Sequence, residues 1–232
     1  MNPSPAPPDR HALMEATSQL ADFMDELPLT DRIASVEQDL VGKAGADVLA
    51  LLEGREMTDD LLRSTLVVRQ AFGRISDIIH ATVILAVLAK ILEDGEKIEV
   101  RPSLASGVGP HQEFDLETSS RVAEFKVAVW RGSGGNVARQ RTTFADFARL
   151  VLADGSRTRE LYVVGPRPLE FLETSTQSVE WALRTAPLSL RDRFSERYDM
   201  STSVRDFRQG DGAAVRVHDL TGIVPELEQF HV

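Results

Sequence analysis

Residues 112–129 constrain the fold of this chain more than any other stretch. Gln-Glu-Phe-Asp-Leu-Glu (112–117) and Arg-Val-Ala-Glu-Phe-Lys-Val-Ala-Val (121–129) both alternate polar with apolar side chains, and Thr118-Ser119-Ser120 separates them. Alternation of period two about a short polar turn predicts an antiparallel hairpin. With the turn centred between Ser119 and Ser120, cross-strand partners have numbers summing to 239. Asp115 then opposes Glu124, and Glu113 opposes Lys126. Directly opposed residues project from one face, as do residues two apart on one strand. Asp115, Glu124 and Lys126 therefore converge, with Glu113 and Glu117 beside them. Phe114, Leu116, Ala123, Phe125, Val127 and Val129 fall on the other face, which is expected to pack against helices. A slip of one residue would separate the two acids.

The flanking segments place this hairpin in an α/β unit. Apolar residues at helical spacing run through Val67, Phe72, Ile75, Ile78 and Ile79 to Leu92, and Glu93-Asp94-Gly95 ends the run. Residues 97–104 read as a strand. After the hairpin, Gly132-Ser133-Gly134-Gly135-Asn136 reads as a loop ending in an N-cap. Val137, Phe144, Phe147, Leu150 and Val151 then mark a helix over 137–152, and Leu161–Gly165 is a short strand of the buried kind. The order from Phe72 to Gly165 is helix, strand, strand, strand, helix, strand. Upstream, 11–56 reads as helical, punctuated by Pro28, Gly42 and Gly45, and Thr58-Asp59-Asp60 caps a helix at Leu61. Downstream, 168–198 reads as mostly helical with a break at Pro187, and 213–218 as one more strand. The expected organisation is a Pro-rich disordered tail (1–10), an acidic helical extension (11–60), a core (61–165), and a C-terminal helical region (166–232) completing the same domain. A length of 232 residues suits one large domain with an extension.

Charge is distributed unevenly. The net charge is -10, which taken whole argues against a basic coat for nucleic acid. Residues 1–60, however, hold 13 acids and 4 bases, whereas residues 121–160 hold 8 bases and 4 acids. Resolved this way, an acidic front adjoins a basic middle. The chain has no cysteine, which excludes disulfides, thiolate metal sites and cysteine nucleophiles. The most apolar stretch, Ile78–Leu92, is too short to span a bilayer and reads as a buried helix. A cytoplasmic protein with no membrane partner is the expectation. No Walker A, HExxH or G-x-S-x-G motif occurs.

Two opposed carboxylates repel unless a positive charge lies between them. Hard oxygen ligands on neighbouring strands suit Mg²⁺ or Mn²⁺. Lys126 stands where it would activate a water or stabilise an anionic transition state. It is one of only four lysines beside 22 arginines, in a chain that otherwise uses arginine for positive charge. The other reading of the same alternation is the solvated face of a hairpin, and the pattern alone leaves both open.

Asp115, followed after eight residues by Glu124-Phe125-Lys126 in this element order, resembles the PD-(D/E)xK nuclease superfamily, the restriction-endonuclease-like fold. The strings Phe114–Thr118, Arg121–Lys126, Trp130-Arg131-Gly132, Arg139-Gln140 and Leu161–Gly165 look like an uncharacterised bacterial group of this type. The resemblance covers roughly residues 72–165, with Phe114 standing where the motif has proline. It implies an αβββαβ core, Asp115 and Glu124 as ligands of Mg²⁺ or Mn²⁺, and Lys126 as the catalytic lysine. The implied activity is metal-dependent hydrolysis of phosphodiester bonds in DNA, rather than RNA. A nuclease-like fold serving as a non-catalytic binding or assembly module is the alternative, as is the same chemistry on RNA. Many nucleases of this fold act as homodimers. Some carry a further acid on the first helix, where Asp77 is the best match and Glu93 the second.

Supporting residues are expected nearby. Gln140 matches a glutamine that family members place facing the site. Arg139 and Arg141 would contact backbone phosphates, which position nucleic acid without reading sequence, or else sit on the solvated surface. Gly132–Gly135 would either approach phosphates or only link strand to helix. Trp130, Tyr162 and Trp181 are expected in the core, and His80 as a satisfied buried histidine.

Overall fold

The structure, a computed structural model, describes residues 9–24, 29–40, 46–73, 75–100, 102–104, 113–130 and 136–230. Residues 1–8 of the expected tail, the glycine-rich loop at 132–135 and the side chain of Asp77 lie outside these, and Arg10, placed in the tail from the sequence, opens the first helix. Contacts divide the chain into two units, Met1–Ile75 and Ser76–Val232.

The first unit is helical: α1 (Arg10–Met24), α2 (Leu29–Leu40), α3 (Ala46–Gly54) and α4 (Asp59–Phe72). α4 packs along α1, so it groups with the acidic helices. The Thr58 hydroxyl accepts the Leu61 amide at 3.3 Å and caps α4, which begins at Asp59. Arg32 is buried in this unit: its guanidinium lies 4.0 Å over the Phe23 ring and donates to Phe23 O at 2.7 Å and to Glu56 at 2.8 Å.

The second unit is an α/β domain built on a mixed five-stranded sheet in the order β1 (Ile98–Val100), β2 (Leu116–Thr118), β3 (Arg121–Lys126), β4 (Thr158–Val163) and β5 (Val215–Asp219). β1–β2 and β2–β3 are antiparallel; β3–β4 and β4–β5 are parallel. The hairpin register pairs Leu116 with Ala123 and Glu117 with Val122, the expected sum of 239. Neither serine of the turn has positive φ, so this is not one of the primed hairpin turns. The Thr118 hydroxyl instead accepts the amides of Ser120 (3.2 Å) and Arg121 (2.9 Å) and fixes the two-residue connection.

Helices cover both faces. On one side, α5 (Ile75–Ile91) sets Val83, Ile84, Val87 and Leu88 against Leu116, Ala123, Phe125 and Tyr162. Phe125 and Tyr162 stack with centroids 4.8 Å apart. α5 is not wholly buried as expected: Ile78, Ile79 and Leu85 remain exposed. On the other side, α6 (Asn136–Leu152) presents Phe144, Phe147, Ala148 and Val151 to Val122, Leu161 and Val163. Here the expected two-sided pattern needs one correction, since Phe114 joins this α6 core. The chain bends at 113–115 before β2 begins, so strict alternation does not extend back to it.

The C-terminal region is more broken than expected. It contains α7 (Pro166–Thr174), α8 (Val179–Leu183), α9 (Leu188–Ser195) and α10 (Val204–Gln209), with a break at Ser175–Ser178 besides the one at Pro187. The predicted strand at 213–218 is β5. Among the described residues no helix is long and apolar enough to cross a membrane.

Candidate functional site

The site lies on the face of β3 covered by α6. Period-two alternation puts Val122, Glu124 and Lys126 on that face, and Glu124 is only 4% exposed, so the face is not a solvated one. Asp115 meets Glu124 across the hairpin. One Asp115 oxygen accepts the Phe125 amide at 2.9 Å, and the Asp115 carbonyl accepts the Ser103 amide at 2.9 Å. Burial pushes the Glu124 carboxyl well above the usual carboxylate range, and the neighbouring Asp115 charge adds to this; Arg149 acts in the opposite direction. The two acids singled out in the sequence therefore come together as expected.

Lys126 does not join them directly. Its ammonium pairs with Asp146 on α6. Asp146 also pairs with Arg149 one turn on, and Arg149 reaches back to 3.7 Å from Glu124 Oε1. The result is a chain of charges: Asp115 and Glu124, then Arg149, then Asp146, then Lys126. Of the other acids on the hairpin, Glu117 turns to Arg157 (3.3 Å) and Glu113 to Arg193 (3.5 Å).

Asp146 and Arg149 are the site residues that apolar spacing passes over. Asp146 falls between Phe144 and Phe147, inside the buried stripe of α6, where an acid needs a partner. That mismatch was the available signal. It indicates a partner without naming it.

The supporting residues divide. Arg141 is buried on α6, with its guanidinium 4.6 Å over the Trp181 ring and Nε donating to Trp181 O at 3.2 Å. It is tied to α8 as well as lying near the site. Arg139 and Gln140 are half-buried on the preceding turn of α6. Asp77 is on α5, across the sheet from α6. Glu93 lies 3.6 Å from Arg121, away from the site. Trp130 and Tyr162 are buried as expected, Trp181 partly so, and His80 Nδ1 lies 3.4 Å from Leu104 O.

Beside Lys126 and Asp146 opens a concavity of about 480 Å³, walled by α6, the α8–α9 connection and the first turns of α9. Among the described residues no group of three or more His, Cys, Asp or Glu side chains is disposed to hold a metal ion. Asp115 and Glu124 are a two-carboxylate set, which matches how Mg²⁺ binds: through one or two carboxylates, with waters and substrate oxygens completing the shell. No family model, curated protein or solved structure matches the chain.

Proposed function

We propose that this chain is a metal-dependent nuclease of the PD-(D/E)xK type, hydrolysing phosphodiester bonds in DNA. The observation that carries the reading is the pair Asp115 and Glu124: a half-buried carboxyl from the bend before β2 meets a buried one on β3, and Glu124 is reluctant to ionise. Such a pair is poorly stable as two free anions and is suited to a divalent cation. The element order and the strand directions are compatible with the αβββαβ core of that superfamily.

Bound there, Mg²⁺ would act as a Lewis acid, lowering the pKa of a water and neutralising charge on the phosphate. The chain's own groups divide the remaining work. Asp115 and Glu124 supply the ligand oxygens, and the Phe125 amide orients Asp115. Lys126, held by Asp146, offers an ammonium to charge developing on the phosphoryl oxygens. Arg149, 3.7 Å from Glu124 Oε1, offsets part of the charge of this pair.

The test is cleavage of supercoiled, linear and single-stranded DNA, and of RNA, with Mg²⁺ or Mn²⁺. Nicking or cleavage that depends on the ion and is lost in Asp115→Ala and Lys126→Ala is the expected result. Full activity in both variants would overturn it.

One observation favours a second reading, a nuclease-like fold used as a non-catalytic binding module. Arg149, Asp146 and Lys126 already compensate one another without any ion. Titration with Mn²⁺ separates the two: saturable binding abolished by Asp115→Ala belongs to the enzyme, and no binding belongs to the module.

A further inference from the structure

The concavity beside the carboxyl pair has its own chemistry. In a chain of net charge -10, four cations (Lys126, Arg141, Arg149 and Arg193) line it against two acids, Glu113 and Asp146. Such a local excess attracts an anion. The rest of the lining is of another kind: Ala145, Ala186, Pro187 and Leu190 form an apolar wall, and Ser189 adds a hydroxyl. A cationic side joined to an apolar wall suits a ligand with one charged end and one flat, weakly polar body. Arg149 belongs both to this lining and to the carboxyl pair, lying 3.7 Å from Glu124 Oε1. A phosphate held on the cationic side would therefore lie next to Asp115 and Glu124.

Size narrows the ligand further. At about 480 Å³ the space falls within the roughly 300–1,000 Å³ of small-molecule sites. That is room for one nucleotide, whereas the major groove of a duplex alone is roughly 12 Å wide. A duplex does not enter such a space, whereas one unstacked nucleotide does. A base leaves its stack at least expense when the strand is already single.

We infer that the concavity between α6 and the α8–α9 connection binds one unstacked nucleotide of a single-stranded DNA. Its sugar and base lie on the Ala186–Pro187–Leu190 wall, and its phosphate lies among Arg149, Arg193 and Lys126. This rests on the phosphodiester chemistry proposed for Asp115 and Glu124, and it names the form of substrate that this site takes.

The test reads binding without catalysis. Fluorescence anisotropy in EDTA compares a labelled single-stranded oligodeoxynucleotide with the blunt duplex of the same sequence, at one fixed salt concentration. The full-length protein is expected to bind the single strand roughly tenfold more tightly. Ala186→Trp and Ser189→Trp, which fill the space from two sides, are expected to bring single-strand affinity down to that of the duplex. Arg193→Glu, at a half-exposed position, is expected to lower it too; circular dichroism checks that each variant is folded. Equal binding of single strand and duplex by the unaltered protein overturns the inference. So does an unchanged single-strand preference in folded Ala186→Trp, Ser189→Trp and Arg193→Glu. Single-strand preference with no ion-dependent cleavage counts against the hydrolysis alone, and cleavage without that preference counts against the nucleotide pocket alone.

Discussion

Lys126 on β3 is paired with Asp146 on α6 rather than with either carboxyl of the hairpin. Asp146 is buried, at 3% side-chain exposure, while Lys126 and Arg149 are each 30% exposed. One buried acid thus holds two cations that reach toward solvent. The Asp146 carboxylate lies between those cations and offsets their repulsion.

Asp146→Asn should therefore change the site as well as the stability. Removing one partner of a fully buried pair costs about 3–5 kcal/mol. Here both cations can still hydrate, so a loss of about 1–3 kcal/mol is expected in urea unfolding. If Asp146 also positions Lys126 for chemistry, kcat falls more than KM rises, and Asp146→Glu restores part of it. A double-mutant cycle with Lys126→Met should give a coupling of about 0.5–3 kcal/mol; no coupling would mean that the pairing contributes nothing.

Glu124 makes stability depend on pH in a defined direction. Its folded pKa lies above the unfolded value of about 4.3, so the folded state holds the proton more tightly. The Glu124 contribution to stability is then full below the unfolded pKa and is lost as pH rises through the raised value. Urea midpoints measured in EDTA from about pH 5 to about pH 8 should fall more for the unaltered protein than for Glu124→Gln, which cannot ionise. Identical slopes would mean that the carboxyl is not strained.

Divalent ions should act in the opposite sense. An ion that binds only the folded state stabilises it by mass action, by about 2.7 kcal/mol at a hundredfold excess over Kd. Mg²⁺ or Mn²⁺ at neutral pH is expected to raise the melting temperature of the unaltered protein and not that of Asp115→Ala. An equal rise in both would place the ion elsewhere.

Arg121 provides a control away from the site. Its guanidinium bonds Glu96 at 2.7 and 2.8 Å and Glu160 at 2.9 Å, and all three side chains are buried. These bonds hold the Glu96 carboxyl well below the usual carboxylate range. Arg121→Met would leave two buried acids without their cation, at about 3–5 kcal/mol, a fall in melting temperature on the order of 10 °C. Its stability contribution from Glu96 is present above the unfolded carboxylate pKa and lost as pH falls through the depressed one, so the deficit should shrink in acid.

Gly212 tests the packing behind α6. A Cβ there would lie 2.7 Å from the Phe147 ring and 3.1 Å from Phe207 O. Gly212→Ala is expected to destabilise by about 1–3 kcal/mol through forced repacking, measured by thermal unfolding. Gly222→Ala, with open space around its position, should lie within about 0.5 kcal/mol of the parent.

The hairpin was legible from residue order because its rules are local. A side-chain period of two and a symmetric turn determine which residues face each other, so Asp115 and Glu124 could be paired by arithmetic and are found together. The α/β class followed in the same way, from helical spacing giving way to alternation and back. Alternation failed at Phe114, where the backbone bends and the rule no longer applies. The partner of Lys126 could not be read in this manner. It comes from a helix twenty residues further on, and the meeting depends on how α6 is rotated about its axis as its phenylalanines pack on the sheet. Spacing within a segment carries no record of that rotation. The charge balance of the site, with Arg149 and Asp146 standing between the acids and the lysine, therefore came into view only once the layers were packed.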